Sequence, residues 1–377
     1  MKQVYFDNAA TTQIRDEVID KITEVMRGNY GNASSSHSFG RSSKSLIEKS
    51  RKTIASYLNV SAGEIVFTSG GTEADNLVLQ SAVRDLKVTH IITSKIEHHA
   101  ILHTTEQLKE EYKLDVSYVN IDKNGTIDYS HLERLLDTSE KTLVSLMHVN
   151  NEIGNLLDIK KVANLCNANN ALFHSDTVQS VGHYKLDLQD IQLDFLAAAA
   201  HKFHGPKGVG FAYFKKGFGI LPMLHGGDQE KGARSSTENV HSILGMEAAL
   251  RVAISNIEKD EKYLLQLKKY FIAELKANFK DIAFNGNSEF VNKSSYTILN
   301  VRFSQANEML LFSLDLSGIA VSGGSACQSG SSKGSHVLKE ILDGLEADKT
   351  SVRFSFSKLT TKQEIDTTVL KLKELLN

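Results

Sequence analysis

Three short stretches of this 377-residue chain carry side chains that could serve one reaction. The first, Ser69-Gly70-Gly71-Thr72-Glu73, follows the β-rich run Ile65-Val66-Phe67-Thr68 and opens a helical pattern. Glycines at a strand-to-helix turn let the backbone close on an anion, and a helix N-terminus offers unpaired N–H groups at the positive end of its dipole. Taken alone, the stretch is equally an ordinary glycine turn with a threonine cap. The second, Ser175-Asp176-Thr177-Val178-Gln179, follows Ala171-Leu172-Phe173-His174. An aspartate at a strand end can bond a protonated ring nitrogen, which a pyridine cofactor needs to act as an electron sink; a turn aspartate is the plainer meaning. The third is Lys202, just after the apolar run Phe195 to Ala200 and ahead of His204-Gly205-Pro206-Lys207-Gly208. A lysine partly desolvated at the mouth of a sheet is a nucleophile able to form a Schiff base, although a surface lysine entering a turn is commoner. The three signals strengthen one another because all follow strands of one series. A phosphate cradle, an acidic ring partner and a carbonyl-trapping amine together describe pyridoxal 5'-phosphate.

The elements that must position them alternate. Runs at 65–68, 90–93, 116–119, 143–147, 171–174, 195–198 and 209–214 are separated by helical patterns. Strand and helix in alternation predict an α/β layer with a mainly parallel seven-stranded sheet. In such sheets ligands sit at the carboxyl ends of the strands. From about Asn256 a long charged helix is predicted to about Lys280, then a strand near 296–303, a helix near 306–314, a strand near 352–356 and a helix from Thr361. This reads as a smaller α/β domain. The expected division is a large domain over 14–255 and a small one formed by 1–13 and 256–377, with no internal repeat.

Composition bounds the rest. The hydrophobic fraction is 41% and the charged fraction 23%, ordinary for a water-soluble globular chain. A formal net charge of -2 gives no electrostatic argument for a nucleic-acid partner. Phe195 to Ala200 falls far short of a membrane span, and the beginning of the chain lacks the apolar core of a signal peptide. The 2 cysteines, Cys166 and Cys327, make a disulfide framework unlikely to be the design and point to the reducing cytoplasm. Cys166 shares an apolar helical stripe with Ile159, Val162 and Leu165, where a thiol behaves as a small hydrophobe. Cys327 lies in 322–335, where ten of fourteen residues are Ser or Gly. Such a segment buries too little apolar surface to hold one conformation, so it reads as a mobile loop that could carry a reactive thiol. His99 and His103, four apart on a predicted helix, lack a third ligand at fitting spacing, so no metal site is expected.

At this point the chain resembles a family. Asn8-Ala9-Ala10-Thr11-Thr12, Thr68-Ser69-Gly70-Gly71-Thr72-Glu73, Ile96-Glu97-His98-His99-Ala100 and His148-Val149-Asn150-Asn151-Glu152-Ile153-Gly154 are similar to motifs of cysteine desulfurases. So are His201-Lys202-x-x-Gly205-Pro206-Lys207-Gly208, Arg234-Ser235-Ser236-Thr237-Glu238-Asn239 and Ser351-Val352-Arg353-Phe354-Ser355. They occur in family order over nearly the whole chain. The resemblance implies the pyridoxal-phosphate-dependent transferase fold type I of class-V aminotransferases, and conversion of L-cysteine to L-alanine with a persulfide left on Cys327. It implies that Lys202 anchors the cofactor, Asp176 pairs with its ring nitrogen and His98 stacks on the ring and moves protons. Asn151 and Gln179 would bond the ring oxygen, Gly71, Thr72 and His201 the phosphate, and Arg353, with Asn151, the substrate carboxylate. Thr237 would reach the phosphate of the other subunit in a homodimer. Two departures stand out: Ala199 replaces a serine whose hydroxyl bonds the phosphate in many relatives, and Ser236 stands where a glycine is usual.

The partner implied is a sulfur-acceptor protein, such as an iron–sulfur scaffold, a tRNA-thiolation protein or a thiamin-pathway carrier, and Cys327 could transiently ligate an iron–sulfur cluster. Rival readings are a selenocysteine lyase, an aminotransferase of the same fold, and a catalytically silent scaffold. An aminotransferase needs no thiol such as Cys327, and a scaffold needs none of Lys202, Asp176, His98, Arg353 and Cys327.

Overall fold

A computed structural model of the chain describes residues 3–304, 306–307, 309–323 and 334–376. The strands are β1 (Val4–Tyr5), β2 (Ile65–Thr68), β3 (His90–Thr93), β4 (Asp115–Tyr118), β5 (Thr142–Ser145), β6 (Leu172–Asp176), β7 (Phe195–Ala199), β8 (Gly210–Phe214), β9 (Ala283–Phe284), β10 (Ile298–Arg302), β11 (Ile319–Ala320) and β12 (Ser351–Ser355). The helices are α1 (Asp16–Gly28), α2 (Ser38–Tyr57), α3 (Gly71–Arg84), α4 (His99–Tyr112), α5 (Tyr129–Leu136), α6 (Ile159–Ala168), α7 (Leu188–Ile191), α8 (Val240–Asn278), α9 (Leu310–Leu316), α10 (His336–Ile341) and α11 (Lys362–Leu376).

Each run expected to form a strand between residues 65 and 214 does so, in a 7-stranded sheet of order β2-β8-β7-β6-β5-β3-β4. Every residue of β2, β3, β5, β7 and β8 is buried. Helices cover both faces of a sheet built by crossover connections, which is why the strands read as continuous apolar runs. β8 runs antiparallel to both β2 and β7, and the remaining neighbours pair in parallel. β2, β7, β6, β5, β3 and β4 therefore share one direction, and their carboxyl ends share one edge.

A second apolar cluster joins Phe6, Phe271, Phe354 and Phe356 with Leu264, Leu299, Ile319 and Ile365. It packs around the antiparallel sheet β12-β10-β9, with β1 pairing parallel to β11 beside it. The expected strands near 296–303 and 352–356 are β10 and β12, and the final helix is α11.

The long helix begins at Val240, well before the expected Asn256. Its first turns bury Gly245, Met246, Ala248, Ala249 and Leu250. A helix buried on most sides loses the polar face that marks a helix in sequence. Gly245 is needed where α1 crosses, since a Cβ there would lie 2.6 Å from a side-chain carbon of Ile22. Further along, Leu264, Leu267, Phe271 and Leu275 of the same helix enter the second cluster. Among the described residues no helix is long and apolar enough to cross a membrane.

His148, just beyond β5, is only 6% exposed, and burial holds its imidazole down at about 4. The unfolded chain takes up that proton near pH 6.5, whereas the folded one refuses it until about pH 4. This contribution to stability is complete above pH 6.5 and is lost as pH falls toward 4. A His148→Gln chain should accordingly lose less unfolding free energy than the wild type between pH 7 and 5, by up to about 2 kcal/mol in urea titrations at the two pH values.

Candidate active site

The carboxyl edge of the parallel strands gathers the side chains singled out in the sequence. β2 leads into Gly71 and Thr72 at the start of α3, β6 ends at Asp176, and β7 leads into His201 and Lys202. The turn after β3 brings His98, and that after β5 brings Asn151. With Gln179 and Arg353 these residues line one cavity of about 180 Å³, together with Ala9, Ala10, Asp75, Met147, Val178 and Ala199. Residues far apart in the chain meet because each follows a strand of one direction.

The segment 8–12 roofs this cavity. The Lys202 amine donates to the carbonyl oxygens of Ala9 and Ala10, and Gln179 Nε2 donates to the same Ala9 oxygen at 2.8 Å. Thr12 Oγ1 donates to the His201 carbonyl and accepts from the His204 amide, each at 2.8 Å. Asn8 Nδ2 donates to the Ser355 carbonyl at 2.8 Å, which ties the segment to β12.

The residues present fit the phosphate of a pyridine cofactor. A Cβ on Gly71 would lie 2.6 Å from Val178 Cγ2, so only glycine lets the first turn of α3 sit this close to the cavity wall. Opposite it lies the His201 ring, whose Nδ1 is 3.2 Å from Thr11 Oγ1. Ala199 lines the same wall with a methyl group and supplies no hydroxyl.

Burial dominates the electrostatics. Asp176 is 6% exposed and is pushed up to about 6 by burial, against the opposing pull of the Val178 amide and the Lys202 amine. Asp75 lies deeper at 1% exposed. Burial first, then the charges of Asp176 and Glu97, hold its carboxyl well above the usual range. Behind it His174, with Nε2 at 3.5 Å from Asp75 Oδ1, is pushed down to about 3 by burial. Asp176 thus has a layer of buried ionisable groups behind it. Burial, then Lys202, His336 and His103, lower His98 to about 4. Its Nδ1 accepts from the Ala100 amide at 3.1 Å and caps α4, so the neutral ring carries its hydrogen on Nε2.

Arg353 is 1% exposed. One terminal nitrogen donates to the Asn151 carbonyl and the other to Asp7 Oδ1, each at 2.8 Å, while Nε has no hydrogen-bond partner. Arg353 therefore also joins β12 to the turn that carries Asn151. Thr237 is exposed and lines a different hollow, with Ser69, Gly208 and Arg234, outside the cavity of its own chain. Ser236, at the position usual for glycine, has φ 130, a conformation that favours glycine. Cys166 is buried in α6, and burial raises its thiol far above the ordinary value, which makes it a packing residue. Cys327 lies outside the described residues. His99 and His103 stack at 4.8 Å, and no metal-binding group of His, Cys, Asp or Glu is found among the described residues.

Asp75, Glu97 and Met147 escaped the sequence reading. Asp75 stands four positions after Gly71, so it shares a helix face with the cradle, and that spacing was the available signal. Glu97 is 2% exposed and accepts from Ser94 Oγ at 2.9 Å and the Met147 amide at 3.0 Å. Nothing local marks it as buried.

A sheet of this topology with a lysine, an aspartate and a helix N-terminus at its carboxyl edge defines a pyridoxal-phosphate-type α/β enzyme. Comparison with known proteins agrees. The aminotransferase class-V model matches residues 4–368. The chain is 39% identical over 380 residues to a cysteine desulfurase IscS of Dictyoglomus turgidum, covering 100% of this chain and 95% of that one. It is 38% identical over 379 residues to a putative cysteine desulfurase IscS 1 of Bacillus subtilis, covering 97% of each. Among solved structures, a NifS-like protein superposes with TM-score 0.91 at 33% identity, over 100% of this chain and 99% of that one. The structure described as SspA in complex with cysteine superposes with TM-score 0.82 at 29% identity, over 96% of this chain and 100% of that one. The chain belongs to the class-V aminotransferase family, and its cofactor is pyridoxal 5'-phosphate.

Two substitutions test the cradle. Gly71→Ala should destabilise the chain by about 1–3 kcal/mol through overpacking against Val178, and should weaken cofactor binding in an absorbance titration. Ala199→Ser adds a hydroxyl to the cavity wall and should tighten the cofactor Kd by up to about tenfold, the equivalent of one hydrogen bond.

Proposed function

We propose that this protein is a cysteine desulfurase that takes the sulfur of L-cysteine onto Cys327 and releases L-alanine. The carrying observation is that Arg353, which lines the cavity, pairs through its backbone with Ser322, just ahead of the segment that bears Cys327. The Arg353 amide donates to the Ser322 carbonyl at 2.6 Å, and the Ser322 amide returns a bond at 3.3 Å. Five positions of fully extended chain span at most about 18 Å, which is the furthest the covalent chain lets Cys327 lie from Ser322.

Bound pyridoxal phosphate supplies an electrophilic carbon for the substrate amine and an electron sink for the bond to its Cα hydrogen. The chain supplies the rest. Lys202 would hold the cofactor and move the Cα proton, Asp176 would set the charge at the ring nitrogen, and Gly71, Thr72 and His201 would hold the phosphate. Asn151 and Gln179 bond the ring oxygen, and Arg353, with Asn151, receives the substrate carboxylate. His98 would stack on the ring, and the hydrogen on its Nε2 would be available to the reacting sulfur. The Cys327 thiolate attacks that sulfur: the carbon–sulfur bond breaks, a sulfur–sulfur bond forms, and the carbon takes a proton. Cysteine plus a thiol becomes alanine plus a persulfide, with no outside oxidant.

The full-length likeness to proteins named cysteine desulfurase and the cysteine held by one structural relative support this reading. The exposure of Thr237, away from its own cavity, supports a homodimer in which it serves the partner's phosphate site. The persulfide then passes to a sulfur-acceptor protein, in the reducing cytoplasm that a catalytic thiol requires. The two apolar clusters support a large unit over 14–255 and a small unit from 1–13 and 256–377, with α8 running through both.

Cys327→Ser should retain cofactor absorbance and a spectral response to cysteine yet release almost no alanine, because a hydroxyl is scarcely ionised at neutral pH. Mass spectrometry after one turnover of the wild type should find the added sulfur on Cys327 and none on Cys166. Alanine release at the normal rate by Cys327→Ser would refute the proposal.

A further inference from the structure

The chain returning from the Cys327 segment re-enters the described structure at Gly334, and its first helix, α10, opens with His336. His336 Nε2 lies 2.8 Å from the backbone oxygen of Glu97. A carbonyl oxygen only accepts, so Nε2 carries the hydrogen and donates. Glu97 immediately precedes His98. The His336 ring lies 4.4 Å from that of His99, which immediately follows His98 and stacks in turn on His103. On its other side His336 Nδ1 is 3.8 Å from Glu152 Oε1, and neither atom has a hydrogen-bond partner. Glu152 is fully buried and immediately follows the cavity residue Asn151. Ser335 Oγ donates to the second oxygen of Glu152 and accepts from the Leu338 amide, which caps α10. Beneath these polar contacts Val337 and Ile341 pack on Ile96 and Ile153.

Apart from the cap, each of these contacts falls on a residue one or two positions from His98 or Asn151 in the chain, and none on Lys202 or Asp176. Capping α10 needs only Ser335. The remaining contacts fix where the returning chain sits relative to the two cavity turns. The three stacked histidines present ring faces to one another, which does not direct their nitrogens to a common point.

We propose that His336 is a positioning residue for sulfur transfer: it clamps the chain returning from Cys327 to the backbone beside His98, and so sets the approach of the Cys327 thiolate to the substrate sulfur. The proposal rests on the desulfurase reading above.

The test uses the holoenzyme, with single-turnover alanine release and the persulfide mass on Cys327 as rates, and cysteine KM, cofactor absorbance and melting temperature as controls. His336→Leu removes the donor and should slow both rates by about tenfold, the rate equivalent of one hydrogen bond. His336→Gln keeps an amide N–H near the position of Nε2 and should recover to within about threefold of the wild type. KM and the absorbance maximum should stay unchanged in both. Wild-type rates in His336→Leu would overturn the proposal. So would a Gln variant as slow as the Leu variant, or KM, absorbance and melting temperature shifting along with the rate, the mark of a merely structural role. Should His336→Leu fail to fold, Ser335→Ala removes the neighbouring contact to Glu152 and must show the same split between rate and KM; its absence overturns the proposal. An active wild type with an indifferent His336→Leu defeats this inference alone, whereas a wild type that yields no alanine defeats the desulfurase reading and this inference with it.

Discussion

The carbonyl oxygens of Ala9 and Ala10 hold the Lys202 amine, and the arrangement of the site depends on that contact. It brings a segment from the start of the chain across the mouth of a sheet whose strands begin some sixty residues later. The same segment is tied to Gln179, His201 and His204 on one side and to Ser355 on the other. The two carbonyl oxygens accept from the amine, and the Asp176 carboxylate feels its charge.

The parallel sheet supplies the other half of the arrangement. One antiparallel strand, β8, sits between β2 and β7 and lets the cradle turn and the lysine turn stand on the same edge. Gly210 of that strand permits the approach: a Cβ there would fall 2.3 Å from the Ala198 oxygen and 2.8 Å from Gly70 Cα. Under the edge lie Asp75, His174 and Glu97, buried groups whose protonation follows burial more than partnership. Asp176 is held up by its own burial in the same way, and Asp75 reaches the cavity wall beside it.

A long helix couples the two apolar clusters. α8 contributes Met246 and Leu250 to the first and Phe271 and Leu275 to the second. Its Lys268, fully buried, donates to Ser294 Oγ at 2.9 Å and the Ser295 carbonyl at 2.7 Å. Ser295 in turn binds the Gly154 carbonyl at 2.7 Å, in the turn that carries Asn151. The second cluster is thereby connected to the cavity turn through hydrogen bonds. The same turn is held by His336 and Ser335 through Glu152.

What the sequence determined by itself was whatever local pattern can encode. Apolar runs of four to six residues with glycine-rich or polar turns after them specified the strands, and the rule that ligands meet parallel sheets at their carboxyl ends placed Gly71, Asp176 and Lys202 together. The motif order added His98, Asn151, Gln179, His201 and Arg353, and the structure brings all of them to one cavity. Only the tertiary structure decided the pairings across the chain: Lys202 with Ala9, Arg353 with Asp7 and Asn151, Asp75 with His174, and His336 with Glu97 and Glu152. These join residues 99 to 346 positions apart by hydrogen bonds, close approach and burial. A carboxylate such as Glu97 or Asp75 looks like any solvated charge in sequence, because burial is a property of the packed chain and not of the residue. The start of α8 was hidden for the complementary reason: a helix buried on most sides has no polar face for a periodicity to reveal.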